Sequence, residues 1–428
     1  TALLTKETCR AFSRACALLF LPALMISSTG ATLNPTALRD AWQLVVAGSF
    51  TIVCSGIVAW LAGRVFFRRP EDRRAFSPVG LAIAFPNSAS FPLLLMGALC
   101  EQDNINSDFG DDAMECFTQA TGMIFIYVVV WQVYFFGWGF YTLGDDDTLE
   151  HKLTGQPAKT RTPHYTTTNT IGVLSRGKPS GVLPQRSDGE GFCRSSDGNP
   201  EQELTFEPCD GDASSQTWHA DKGGQCDGNR WATVRQWFSR VLLSPNIIAT
   251  AIGVSIAMIA PLQKMLFDNP RAILWPLGAA LETVGTPEIA VSTLVMAGSL
   301  VQVPTVVAAS TATEEGQGGT SALQRWRRFR ILVGFLHVVC RLIVVPTVGF
   351  TVFWAAKTQS SVMGENRLMH LVLLIEFAMP SAAFMIVSLN QLRMPATAGF
   401  MARLYLWQYG TSMFTITAWT ALAVHLVY

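Results

Sequence analysis

Nine apolar stretches of membrane-spanning length restrict this chain to few folds: about 8–28, 41–66, 77–100, 115–143, 244–266, 285–309, 329–356, 368–390 and 399–427. A helix needs about 20 apolar residues to cross the hydrocarbon of a bilayer, where every backbone polar group must be bonded internally. The expected fold class is therefore an all-α polytopic membrane protein, with the lipid bilayer as its first partner. Composition agrees: 50% of the 428 residues are hydrophobic and 14% are charged, against about 25% charged in soluble domains. The formal net charge is zero, which speaks against nucleic acid as a partner.

One stretch contradicts the simple picture. "SPVGLAIAFPNSASFPLLLMGALC", residues 77–100, has 24 residues and no charge, yet its middle holds Pro86, Asn87, Ser88, Ser90 and Pro92. Proline removes a backbone donor and clashes with the preceding turn. An unmet backbone group in hydrocarbon costs several kcal/mol, roughly. A break at that depth therefore implies a partner for the freed groups.

Arginine and lysine set the sides. "RVFFRRPEDRR" (64–74) has five Arg and "RWRRFR" (325–330) has four, whereas "EQDNINSDFGDDAME" (101–115) has six acids and no Lys or Arg. The basic loops, the segment 144–235 and the turn with Arg393 and Arg403 fall on the cytosolic side; the C-terminus "AVHLVY" falls on the opposite one. Residues 144–235 are rich in Gly, Ser, Thr, Asp and Pro and read as a disordered linker. "KTRTPHYTTT" (159–168) and "CRSSDG" (193–198) within it are expected kinase targets, although a solvated tether explains them as well. Cys16, Cys54, Cys100, Cys116 and Cys340 sit in or beside apolar runs and are expected to act as small buried hydrophobes. Cys193, Cys209 and Cys226 fit no zinc spacing. No phosphate loop, metal pattern or nucleophile elbow occurs, so neither an enzyme nor a cofactor is expected.

The halves flanking the linker echo each other. "FLPALMISS" (20–28) places Ser27 and Ser28 after Pro22 at the offsets that put Ser292 and Thr293 after Pro287 in "GTPEIAVST" (285–293). "FPNSASF" (85–91) is answered by "MPSAAF" (379–384). Five spans in the second half and four in the first imply one more span before Thr1. Such halves run in opposite directions, the inverted-repeat plan of secondary transporters, with substrate at the midplane beside discontinuous helices.

These segments resemble the auxin efflux carrier family, closest to its PIN-like branch. "AFPNSASFPLLLMGALC" (84–100) resembles the family's first broken helix, in which an Asn stands five residues before a Pro, as Asn87 does before Pro92. "IEFAMPSAAFMIVSLNQL" (375–392) resembles the second broken helix and "LYLWQYGTSMFTITAW" (404–419) the last span. "LFLPALMISS" (19–28), "SPNIIATAIGVSIAMIAPL" (244–262) and "VCRLIVVPTVGF" (339–350) resemble spans two, six and eight. The resemblance implies an inverted repeat of two five-helix units whose broken helices cross at their prolines. Spans 2–5 would occupy 1–143, the cytosolic linker 144–235 and spans 6–10 residues 236–428. It further implies export or sequestration of indole-3-acetic acid or a similar carboxylate, a place in the endoplasmic reticulum rather than the plasma membrane, and a homodimer as an accessible assembly.

Crossed breaks expose helix N-terminal amides, whose partial positive charge can hold a carboxylate without a buried cation. The expected substrate site is therefore Pro86, Asn87, Ser88, Ser90, Phe91, Pro92, Pro380 and Ser381, joined by Ser27, Ser28, Ser292 and Thr293. Phe85, Phe384, Leu24 or Val291 would wall an aromatic body. Small polar residues also serve simply to pack membrane helices. Glu376, one turn before Pro380, is a coupling candidate as an acid at membrane depth, the alternatives being that it faces a water-filled vestibule or pairs with Arg341. Arg341, also a coupling candidate, fits either a structural anchor or that partner. Glu282 and Glu288 fit the membrane interface, and His337 fits a packed core. The main expectation is a carrier of a small organic anion working by alternating access. A proton- or sodium-coupled transporter of another organic acid, or a membrane receptor that binds without transporting, would share these features.

Overall fold

The computed structural model describes residues 5–33, 42–109, 112–145, 147–154, 242–301, 319–359 and 366–428. Six helices among them are long and apolar enough to cross a membrane: α1 (Lys6–Thr32), α2 (Trp42–Phe66), α5 (Ala113–Gly144), α9 (Trp275–Val301), α10 (Gln324–Thr358) and α13 (Pro395–Val427). A further pair, α7 (Pro245–Met258) and α8 (Ala260–Asp268), reaches spanning length only together and bends by 105°. The expected spans at 77–100 and 368–390 are each two helices: α3 (Pro70–Ala84) with α4 (Ser90–Cys100), and α11 (Arg367–Ala378) with α12 (Phe384–Gln391). A short helix, α6 (Thr148–Thr154), follows α5. The protein is thus an all-α polytopic membrane protein, helical through nearly all its described residues.

Local chemistry explains the ends and the irregular turns. Asp112 caps α5, accepting from the amides of Met114 and Glu115 at 2.9 and 3.1 Å, and Asn366 caps α11 through Met369 N at 3.0 Å. Pro70, Pro245 and Pro395 stand in first turns, where a missing N–H costs nothing. Inside helices prolines disturb more. Wide π turns at Cys16–Phe20 and Cys340–Val344 lie just before Pro22 and Pro346, where a proline clashes with the carbonyl four residues back. For Pro346 that carbonyl belongs to Leu342, and the Trp419 indole N–H donates to it at 2.9 Å.

The broken helices form the interior. Every residue of α11 from Leu368 to Ala378 is buried, whereas α2 turns Val46, Ile57, Trp60, Val65 and Phe66 outward, as a lipid-facing helix does. The sides inferred from basic residues also hold together. Helix α6 bonds Lys152 to Asp72 of the Arg-rich loop at 2.8 Å, sets that ammonium over the Phe329 ring of the "RWRRFR" stretch, and caps α13 with Glu150 on the amides of Ala396 and Thr397. On the other face Asp108 of the acidic loop meets Arg367, which also lies over the Tyr428 ring.

Several expectations are corrected. Cys100 and Cys116 are joined by a disulfide rather than buried separately as small hydrophobes. It closes the acidic loop, on the face assigned away from the cytosol, where oxidising conditions sustain such bonds. The span expected at 285–309 starts earlier, at Trp275. The segment read as a linker from residue 144 contains α6, whose Leu149 and Leu153 are buried; its remainder, 155–235, with both expected kinase targets, lies outside the described residues.

Candidate functional site

Between α3 and α4 the chain leaves the helix at Phe85, and between α11 and α12 at Met379. The two extended pieces pair antiparallel, Pro86 opposite Ser381. Asn87 N donates to Pro380 O at 2.7 Å and Ala382 N to Phe85 O at 3.1 Å. Each break therefore supplies the backbone partners that the other lost. This resolves the cost of proline at membrane depth, because the freed groups meet each other instead of lipid.

Arg341, fully buried, holds the crossing from behind. Its Nε donates to Met379 O at 2.7 Å, Nη1 to Ile83 O at 3.2 Å and to Ser55 Oγ at 3.3 Å, and Nη2 approaches Glu376 O at 3.5 Å. These carbonyls end the first half-helix of each broken span, the negative poles of α3 and α11. One planar cation thus clamps both C-terminal ends. Of the two roles open to Arg341, structural anchor or partner of Glu376, its contacts are those of an anchor: it takes the Glu376 backbone rather than its carboxyl. The Glu376 carboxyl is fully buried; it interacts with the Ser88 hydroxyl, and the Tyr127 phenol and Arg341 are its charged or titratable neighbours.

Ser381 is fixed by its surroundings. Its hydroxyl lies 2.9 Å from His337 Nε2 and accepts from Gln408 Nε2 at 3.1 Å, and its carbonyl accepts from Tyr409 Oη at 2.8 Å. His337, expected as a packed core residue, therefore anchors the second break. Asn87 stands just ahead of the second half-helix of the first span, and its Oδ1 accepts from Ser90 N, the first amide of that helix, at 3.3 Å. Phe91 packs on the Tyr409 ring at 5.6 Å between centroids.

On the face of the crossing where α4 and α12 begin lies a narrow cavity of about 70 Å³. Pro86, Asn87, Ser88, Ser90 and Ser292 line it, as do Leu24 and Phe384 among the expected apolar walls. Half-helix N-termini, with amides lacking intrahelical partners, thus open onto a space bounded by Trp131 on one side. Phe91, Pro92, Pro380, Ser381, Glu376, Arg341, Ser27, Ser28 and Thr293 are not on its wall. Thr293 is exposed, and the hydroxyls of Ser27, Ser292 and Thr293 bond carbonyls of their own helices at 3.2, 3.0 and 2.8 Å. Ser28 gives its carbonyl to Thr32 Oγ1 at 2.7 Å.

Sequence reasoning missed Gln132 and Trp131 and misplaced Glu288, all three lining the cavity. Gln132 Oε1 lies 2.9 Å from the Thr250 hydroxyl, while its Nε2 has no partner. A single amide in the apolar run "VVVWQVYFF" (128–136) was the available signal, since such a group at mid-span needs a reason.

Residues 1–420 fit the sequence pattern of the membrane transport protein family, and the chain belongs to that family, which includes the auxin efflux carriers. No curated protein matches the chain.

Proposed function

We propose, with membership of the membrane transport protein family as premise, that this membrane transporter is a secondary carrier of a small organic anion with an apolar body, of the indole-3-acetic acid kind. The observation that carries the reading is the cavity at the crossed breaks. Two half-helix N-termini, Asn87, Ser90 and Gln132 Nε2 offer donors to a carboxylate, and Trp131, Phe384 and Leu24 offer an apolar wall. A cavity of about 70 Å³ holds a few waters. An aromatic acid enters it only when the walls part, which suits alternating access by two inverted halves rocking about the crossing. The residues that resemble the PIN-like branch support the endoplasmic reticulum, rather than the plasma membrane, as the proposed location.

A coupled version has its own support: the Glu376 carboxyl, fully buried beside the first break and facing the Ser88 hydroxyl, is a place where a proton or sodium ion can bind. Counterflow of labelled indole-3-acetate in liposomes holding the purified protein tests the reading. Exchange above protein-free liposomes supports a carrier. Saturable binding without exchange means a receptor, and neither binding nor exchange means that the substrate class is wrong. Acceleration by an imposed proton or sodium gradient that Glu376→Gln abolishes establishes coupling.

A further inference from the structure

Glu288 begins the helix that follows Pro287 in α9. It is 8% exposed and lines the cavity together with Ser292, Asn87, Ser88 and Gln132. Among the described residues no ion pair holds its carboxyl. Among the described residues, the elements packed against this helix bring no cation to face it; Arg403 of α13 lies near Arg330. From α1 comes the Cys16 thiol, whose Sγ lies 3.9 Å from Glu288 O; Arg10 and Arg14 of the same helix gather near Arg393 instead. Helix α12 has no titratable side chain. Helix α13 turns Tyr405 toward His337 and Tyr409 toward Asn87 and Ser381. Across the cavity stand the neutral Gln132, Asn87 and Ser88, and Glu282 on α9 itself is exposed.

The charge balance of this space follows from those neighbours. Each helix N-terminus is equivalent to about half a positive charge, so the N-termini of α4 and α12 together offset about one negative charge. A bound carboxylate supplies that charge. A second anion at Glu288 is left uncompensated, and two carboxyl groups sharing such a site keep one proton between them.

We propose that Glu288 makes substrate binding conditional on a proton: the cavity takes a monocarboxylate together with one proton shared between the substrate carboxylate and the Glu288 carboxyl. The proton comes from bulk water, forms an O–H bond on one of the two carboxyls, and returns to water when the substrate leaves. This rests on the anion-carrier reading and narrows its substrate class to monoanions, since a dicarboxylate restores the uncompensated charge. It also separates proton-linked binding at Glu288 from gradient coupling at Glu376, which is off the cavity wall.

Binding of labelled indole-3-acetate to the purified full chain, measured across roughly pH 5 to 9, tests it. Wild-type affinity is expected to weaken toward about tenfold per pH unit on the alkaline side, and E288Q is expected to bind with little pH dependence. Wild-type binding that is flat with pH, or a pH dependence that persists in E288Q, overturns the proposal and leaves the carrier reading standing. Should E288Q fail to fold, proton uptake by the wild type in weak alkaline buffer decides the matter. About one proton per bound ligand is expected, and none overturns the proposal. Wild-type protein that binds no indole-3-acetate at any pH removes the anion-carrier reading itself, and this proposal with it.

Discussion

Replacing Arg341 with alanine removes a buried cation that ties both broken spans together. The carbonyls of Ile83 and Met379, bonded now at 3.2 and 2.7 Å, would lose their donor in a dry interior. Each unmet group costs about 1–3 kcal/mol, and the void left by the side chain adds to that. Release of a buried cation from its desolvation offsets part of the loss. The net is a destabilisation of about 3–5 kcal/mol, in the range for breaking a buried charge network. Read as thermal unfolding of detergent-purified protein, the midpoint should fall by roughly 6–20 °C, at about 2–4 °C per kcal/mol. Arg341→Lys should recover only part, because one ammonium cannot reach both carbonyls as a planar fork does. Glu376→Gln serves as the control. With no side-chain ion pair between Glu376 and Arg341, it should stay within about 1 kcal/mol of wild type. Arg341→Ala melting like wild type would refute the clamp. Equal losses in Arg341→Ala and Glu376→Gln would show an ion pair in place of the carbonyl contacts.

Three other changes have outcomes that the geometry sets. Arg393 has φ 61° in the turn that ends α12, so Arg393→Gly should raise the melting midpoint by the equivalent of about 1 kcal/mol; a lower midpoint would mean that the side chain contributes more than the strain. A methyl at Gly278 would fall on the Leu266 carbonyl where α9 passes α8, so Gly278→Ala should cost about 1–3 kcal/mol, and no loss would place that contact wrongly. The Cys100–Cys116 bond closes a loop with a sequence separation of 16, so Cys116→Ser should lower stability by about 3 kcal/mol. In sealed microsomes a membrane-impermeant thiol reagent should reach Cys100 of that variant only after the vesicles are opened, and labelling of intact vesicles would reverse the assigned sides.

Much of the fold was legible because membrane insertion writes itself in long apolar runs and in the placement of arginine. Pro86 and Pro380 could be matched as a pair for the same reason: a proline in hydrocarbon demands a partner. What escaped depends on approach across sequence distances that no local pattern encodes. Nothing in the residues around Cys100 and Cys116 distinguishes a bonded pair from two buried thiols. Charge alone left Arg341 either an anchor or the partner of Glu376, because the carbonyls at two helix ends that take its guanidinium are invisible in a sequence. Helix α6 lies in a polar segment whose composition hides two buried leucines, Leu149 and Leu153. On the cavity wall, Asn87, Ser88, Ser90 and Ser292 are residues that the sequence singled out through their prolines. Ser27 and Thr293 met the same pattern but lie off the cavity wall; like Ser292, they return their hydroxyls to backbone carbonyls of their own helices. Glu288 was visible next to Pro287, yet the sequence could not tell an interfacial acid from one turned into a cavity.

The central claim, that the crossed breaks build the substrate site, is tested most directly by counterflow of labelled indole-3-acetate with Asn87→Ala beside wild type. Both proteins should be reconstituted in equal amounts and shown to melt alike. Asn87 accepts from Ser90 N, the first amide of α4, and stands on the cavity wall. Its loss should cut exchange by roughly tenfold or more, the equivalent of one charge-assisted hydrogen bond of about 1.5–3 kcal/mol. Exchange at the wild-type rate would contradict the account.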